Sequence, residues 1–194
     1  MGVGATAVQA LQSGRVQGLM YWGGALAMFE NAGLKLRRIV GDDWHTYPEY
    51  SLATTQVIAS KDPAMTIGIA RGSIKAMVFA SANPACAVKL HHAHFPASAP
   101  PGIDAATLDK WDLHSLETQL KSMADAYAQF GGGQLWGKYD PAAWNRLIKF
   151  MQDSRQIDQP IAAETLAMDI PDFYTKINDF DKEAVRASAI ACKF

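Results

Sequence analysis

The sequence predicts an α/β fold, in which a parallel-sheet segment near the start is followed by a helix-rich C-terminal half. Two observations carry that expectation. Over residues 1–60, short apolar runs alternate with helix-compatible runs, and glycines punctuate each change. Alternation of this kind is the wiring of parallel strands joined by crossover helices. Beyond Lys61 the apolar residues recur instead at three- and four-residue spacing, the period of amphipathic helices.

Taken in order, Ala5–Ser13 suits a short helix that Gly14 ends, because glycine adopts the left-handed conformation of a helix C-terminus at little cost. Val16–Trp22 reads as a buried strand, Gly23-Gly24 as the turn, and Ala25–Ala32 as a helix stopped by Gly33. Leu34–Val40 reads as the next strand. Ser51–Ser60, with Thr54, Thr55, Val57 and Ile58, has the β-branched content of a third. Asp62-Pro63 then opens a helix carrying Ile67, Ile74, Met77 and Val78, and Asn83-Pro84 ends it and starts another. Pro96–Gly102 is a connector. Asp104 opens a long amphipathic stretch through Leu108, Trp111, Leu116, Leu120, Met123 and Tyr127, which the Gly131-Gly132-Gly133 linker terminates. Asp140-Pro141 repeats the start signal ahead of an apolar face of Trp144, Leu147, Ile148 and Met151. Asp172 and Asp181 stand where two short closing helices begin.

Composition excludes several function classes. In 194 residues, 49% hydrophobic content supports a globular core, and 18 basic against 19 acidic residues leave no basic nucleic-acid face and no acidic tail. The longest uncharged stretch, Val16–Phe29, is interrupted by glycines and is well short of the ~20 residues of a membrane span. The first residues lack the basic, apolar and small-residue pattern of a secretion signal, so the chain as written reads as cytoplasmic. Cys86 and Cys192 are far apart and form no CxxC; they are expected to be free thiols, with no disulfide framework and no zinc site.

The run Ala10-Leu11-Gln12-Ser13-Gly14-Arg15-Val16-Gln17-Gly18-Leu19, the aromatic turn after it, and Glu30-Asn31-Ala32-Gly33-Leu34 resemble the substrate-binding proteins of ABC importers for thiamine precursors, taurine, nitrate and sulfonates. Asp62-Pro63, Ala82-Asn83-Pro84, Phe95-Pro96, Trp136-Gly137, Ile157–Ile161 and Asn178-Asp179-Phe180-Asp181 follow in that group's C-terminal order. The resemblance implies a partial type II periplasmic-binding-protein fold. Residues 1–45 would be part of its second α/β lobe, 46–60 a crossover strand or hinge, and 61–194 a helical region packed on the lobes. It also implies a small-molecule solute, a permease partner for the full-length protein and a periplasmic location. The chain opens without the first-lobe strands, so the resemblance further implies a truncated protein. At about 25 cal/mol per Å², uncovered apolar surface is costly, and symmetric pairing of two copies would cover it.

Candidate ligand contacts are Tyr21, Trp22, Gly23 and Gly24, which lie at the carboxyl end of the first expected strand and lead into a helix. Ligands of parallel sheets bind there: rings enclose a planar solute, and glycines admit an anion or carbonyl to the helix N-terminus. Core packing is the competing reading of the aromatic pair. Trp44, His45, Glu49 and Tyr50, with Asp42, Asp43 and Tyr47, form an aromatic and acidic loop suited to amino or ring-nitrogen donors; an ordinary solvated loop competes. Gly2 and Gly4 form a weak anion-cradle signal. His91-His92-Ala93-His94 offers imidazoles at ligand spacing but no partner set, and last-turn cations favouring the helix dipole explain it better. Neither cofactor nor metal is expected. Nor is catalysis: the cysteine-rich motif of the related thiamine-pyrimidine synthases and any nucleophile–base arrangement are missing. Such a synthase and a non-binding structural remnant stand as the alternatives.

Overall fold

The computed structural model describes residues 4–41, 44–48, 51–129 and 135–193. Among them the chain forms nine α-helices, three 3₁₀ turns and no strand. Helix α1 (Ala5–Gln12) follows Gly4 and ends at Ser13, whose Oγ donates to the Gln9 carbonyl at 2.7 Å. Helix α2 (Gly23–Asn31) ends ahead of Gly33, whose φ of 85° requires glycine. Helix α3 (Gln56–Lys61) is capped by Thr55, which accepts from the Ile58 N–H.

The expected caps of the next helices are in place. Asp62 accepts from Met65 N at the start of α4 (Pro63–Ala82), and Asn83 from Cys86 N at α5 (Pro84–His94). Asp104 accepts from both N and Oγ1 of Thr107 at α6 (Ala105–Gln129), and Asp140 from Ala142 N at α7 (Pro141–Asp153). In α4, α5 and α7 a proline occupies the first helical position, where its missing N–H is no loss. Helix α8 (Phe173–Asn178) follows Asp172, which sits in the left-handed conformation and lends no capping oxygen. Helix α9 (Lys182–Ala191) closes the chain.

The expectation of a parallel-sheet remnant is overturned. Residues 16–22 and 34–40 are irregular, with Met20 82% and Ile39 71% exposed. Of the third expected strand, 51–55 is irregular and the remainder is α3, leaving Val57 77% exposed. A strand is stable only where a neighbour pairs its N–H and C=O groups. The apolar run can be read from sequence, whereas the neighbour cannot. At Thr55 a local cap decides the outcome, since its hydroxyl starts a helix where β-branched content favoured extension. The chain therefore does not adopt a partial type II periplasmic-binding-protein fold among its described residues, and no crossover strand occupies 51–60.

The chain divides into two compact units. The first comprises Met1–Arg38, Val78–Gln129 and Glu183–Phe194; the second comprises Ile39–Met77 and Phe130–Lys182. In the first unit α2 and α5 both pack on α6, around buried Ala25, Ala27, Phe29, Val78, Val88 and Leu108. Small residues on α2 let its backbone approach α6 closely. The expectation of two free thiols is also overturned: Cys86 of α5 and Cys192, just past α9, form a disulfide across 106 residues. Their separation in sequence concealed a spatial pairing that α9 creates by returning to α5, where Asn83 Nδ2 also donates to the Ala189 carbonyl at 2.9 Å.

In the second unit Ala59, Ile74, Ala143, Ile148, Ala163, Ile170, Phe173 and Ile177 are buried. Asn178, 8% exposed, uses its whole amide: Oδ1 accepts from Trp136 N, and Nδ2 donates to the Trp136 and Tyr174 carbonyls. Arg71 donates through Nε and Nη2 to the Lys176 carbonyl, one of the last acceptors of α8. Tyr139 donates to the Ala163 carbonyl and stacks on Trp144 at 6.0 Å.

Candidate functional site

Tyr21 and Trp22 lie immediately before α2. Trp22 occupies the N-cap position with extended backbone, φ −81° and ψ 163°, and its side chain makes no capping bond. An indole has a donor and no acceptor, so this residue type leaves the first-turn N–H groups of α2 without a side-chain cap. The rings form a ladder from core to surface. Phe29 is buried, Tyr21 meets it edge-on at 4.9 Å and 80°, and Trp22 lies 5.6 Å from Tyr21 with 38% of its surface exposed. Both competing readings thus hold for different members of the pair: Tyr21 packs inward, while Trp22 offers an aromatic surface beside a helix N-terminus.

Gly23 and Gly24 bring α2 against α6. A Cβ on Gly23 would touch Thr118 Cγ2 at 3.6 Å, and one on Gly24 would press Gln119 Oε1 at 3.3 Å and approach the Ser115 carbonyl at 3.7 Å. Helix α6 is therefore the platform beneath the first turn. At its other end α2 is fastened by Asn31 Nδ2, which donates to the Trp111 carbonyl at 3.0 Å. Glu30 accepts from Arg38 Nη2 at 2.9 Å and lies 3.2 Å from His114 Nε2. Partial burial pushes the Glu30 carboxyl upward, but hydrogen bonds and charge from Arg38 and His114 outweigh it and hold the group below its ordinary value.

The second predicted cluster belongs to the second unit. Asp42, Asp43, Glu49 and Tyr50 lie outside the described residues, as do Gly2 and the 131–133 glycines. Trp44 and His45 fall in a 3₁₀ turn, Trp44–Thr46. The Trp44 indole lies over the Gly41 backbone so closely that a Cβ there would come within 2.5 Å of Nε1. Helix α7 holds this loop: Arg146 donates to the Thr46 carbonyl through Nη2 at 2.9 Å, and Phe150 meets Tyr47 at 5.7 Å. Trp44 stays 47% exposed. The two predicted clusters lie in separate units, and each is built from its own neighbours.

The histidine run occupies the last turn of α5, where the helix dipole favours positive charge. Sequence reading missed the role of His92. Its Nδ1 lies 2.9 Å from Asp109 Oδ1 and its Nε2 2.7 Å from Asp112 Oδ2. The signal was present, since two aspartates three residues apart share one face of α6, but only the folded hairpin brings His92 between them. These hydrogen bonds, Asp112 first, raise the His92 pKa above its ordinary value against a smaller opposing effect of burial.

Among the described residues no three His, Cys, Asp or Glu side chains converge as a metal-binding group, and no helix is long and apolar enough to cross a membrane. No protein-family model, no curated protein and no solved structure matches the chain.

Proposed function

We propose that the chain binds a small organic solute at the exposed Trp22 face and the first turn of α2, as the solute-capturing component of an ABC importer. The observation that carries this reading is the ring ladder Phe29–Tyr21–Trp22, which ends in an exposed indole beside uncapped helix N–H groups. A planar solute with an anionic or carbonyl group suits that pair of features: the ring takes the face, and the N–H groups take the acceptor. The resemblance in Ala10–Leu19 and Glu30–Leu34 supports the same class of solute, namely thiamine precursors, sulfonates, nitrate or aromatic acids. The proposal rests on these residues and not on a sheet-based fold.

The Cys86–Cys192 disulfide supports function in an oxidising compartment, such as the periplasm, because disulfides are rare in reducing cytosol. The reading is of a binder with no chemistry of its own. Calorimetry of the oxidised protein against pyrimidines, sulfonates, nitrate and aromatic acids tests it. One of these classes should bind, and Trp22→Ala should weaken that binding about tenfold, the effect of losing roughly 1.4 kcal/mol of ring contact. Binding that is indifferent to Trp22, or the absence of binding to every class, overturns the proposal.

A second reading, as an interaction protein, is favoured by one observation in the second unit: Val57 and Ile58 on α3 and Met65 and Ile69 on α4 are exposed. Sedimentation at micromolar concentration separates the two, since an interaction module of this kind associates through those residues and Val57→Ser with Ile69→Ser would return it to monomer.

A further inference from the structure

We propose that His92 is a proton-operated latch that holds the α5–α6 hairpin closed when charged and releases it when neutral. Both ring nitrogens of His92 lie within 3 Å of carboxylate oxygens, Nδ1 at Asp109 and Nε2 at Asp112. A neutral imidazole has one N–H and one lone pair, so one of the two contacts would set a lone pair against a carboxylate. Only the imidazolium satisfies both. The aspartates depend on it in turn, because two carboxylates one turn apart on the same helix face repel unless a cation stands between them.

His92 joins the two helices by charge at this point. On its own helix the His91 ring lies 5.8 Å away, edge to face, with its Nε2 on Ser98 Oγ at 2.9 Å. Lys89 and His94 are the other ionisable residues of α5 near it in sequence. On α6 the facing groups are Asp109 and Asp112, with Lys110 between them in sequence. His114, further along, is engaged with Glu30, which also holds Arg38. His92 is itself only 22% exposed and its partners 51% and 42%, so the latch is shielded yet reachable by protons.

The sign follows from linkage. A histidine whose folded pKa is raised above the unfolded value of 6.5 stabilises fully below that value, and the stabilisation is lost as pH rises through the folded pKa. The latch is therefore closed in mild acid and opens as pH rises through that raised folded value. Its opening loosens the N-terminal half of α6, whose next residues, Ser115 to Gln119, support the first turn of α2. The inference stands independently of whether that turn binds a solute.

The test is a histidine NMR titration and thermal unfolding of the oxidised full chain between about pH 5.5 and about pH 8.5. His92 should titrate above its ordinary value. The unfolding midpoint should fall by about 2–4 °C over the range, His92→Gln should flatten that fall, and Asp112→Asn should bring the His92 titration back toward the ordinary value. A His92 that titrates at or below the ordinary value, or a His92→Gln protein that keeps the wild-type fall, overturns the latch. Should His92→Gln fail to fold, the wild-type and Asp112→Asn titrations decide by the same criteria.

Discussion

The two units are held together by different chemistry. In the first, a disulfide, a histidine between two aspartates, and a glutamate between an arginine and a histidine join the elements beside the amide-to-carbonyl bonds of Asn31 and Asn83. In the second, the contacts include neutral or charge-assisted bonds from side chains to backbone carbonyls, made by Asn178, Arg71, Arg146 and Tyr139. The groups that burial shifts in the second unit, Tyr139 and Tyr174, move upward from about 10, away from neutral pH. Redox state, through the disulfide, and protons, through His92 and Glu30, therefore have identified points of action in the first unit.

The largest expected effect tests the redox half of that contrast. A cross-link spanning 106 residues restricts the unfolded chain by about 4–5 kcal/mol in the loop-entropy account, and removing a native disulfide commonly costs about 2–5 kcal/mol. Cys86→Ala with Cys192→Ala should therefore lower the unfolding midpoint of the first unit. Hydrogen exchange should show α9 and α5 losing protection first. Equal loss across α7 and α8 would break the comparison by showing the units to be one cooperative body.

Next in size is Asn178→Ala. It removes the Asn178 acceptor of Trp136 N–H and the Asn178 donor to the Trp136 carbonyl, together with a second bond to the Tyr174 carbonyl, in a site 8% exposed. Leaving buried backbone groups unpaired costs about 1–3 kcal/mol, and the loss should be as large at about pH 5.5 as at about pH 8.5. A loss confined to one end of that range would sink the reading that neutral amide bonds alone fasten this site. Gly41→Ala should be milder and more local. The new methyl displaces the Trp44 indole, so Trp44 fluorescence should change, with stability altered by about 1 kcal/mol. An unchanged spectrum would mean that the indole does not rest on Gly41.

How much was legible in the sequence follows the same division between local and distant causes. The caps at Asp62, Asn83, Asp104 and Asp140, and the stops at Gly14 and Gly33, were readable because each acts within one turn of its own helix. In sequence the pair Tyr21-Trp22 reads as the end of a strand that does not form, and neither its anchor on Phe29 nor the approach of Gly23 and Gly24 to α6 was readable. Apart from the third strand, which the local Thr55 cap turned into a helix, what failed depends on partners far along the chain. The expected strands Val16–Trp22 and Leu34–Val40 found no pairing neighbour. Cys86 and Cys192 proved to be partners, and the Asp109–Asp112 pair acquired its meaning only from His92.

The smallest effect sharpens the comparison most, because it reverses the sign of the latch within the same unit. Glu30 has a carboxyl pKa held below its ordinary 4.5, the opposite displacement from His92. A depressed carboxylate contributes stability that is present above the unfolded value and is lost as pH falls through the folded one. The first unit should thus weaken at both ends, in acid as Glu30 is protonated and at higher pH as His92 loses its proton. Its greatest stability should lie between 4.5 and 6.5. Glu30 and Arg38 are 29% and 41% exposed, so solvent screens the pair and Arg38→Ala should cost no more than about 1 kcal/mol. Its signature is the shape of the curve and not its height: the acid limb of the first unit should move toward higher pH while the alkaline limb stays in place. A shift of both limbs together would mean that Glu30 and His92 titrate as one network through α6, and the two fastenings would have to be treated as a single device.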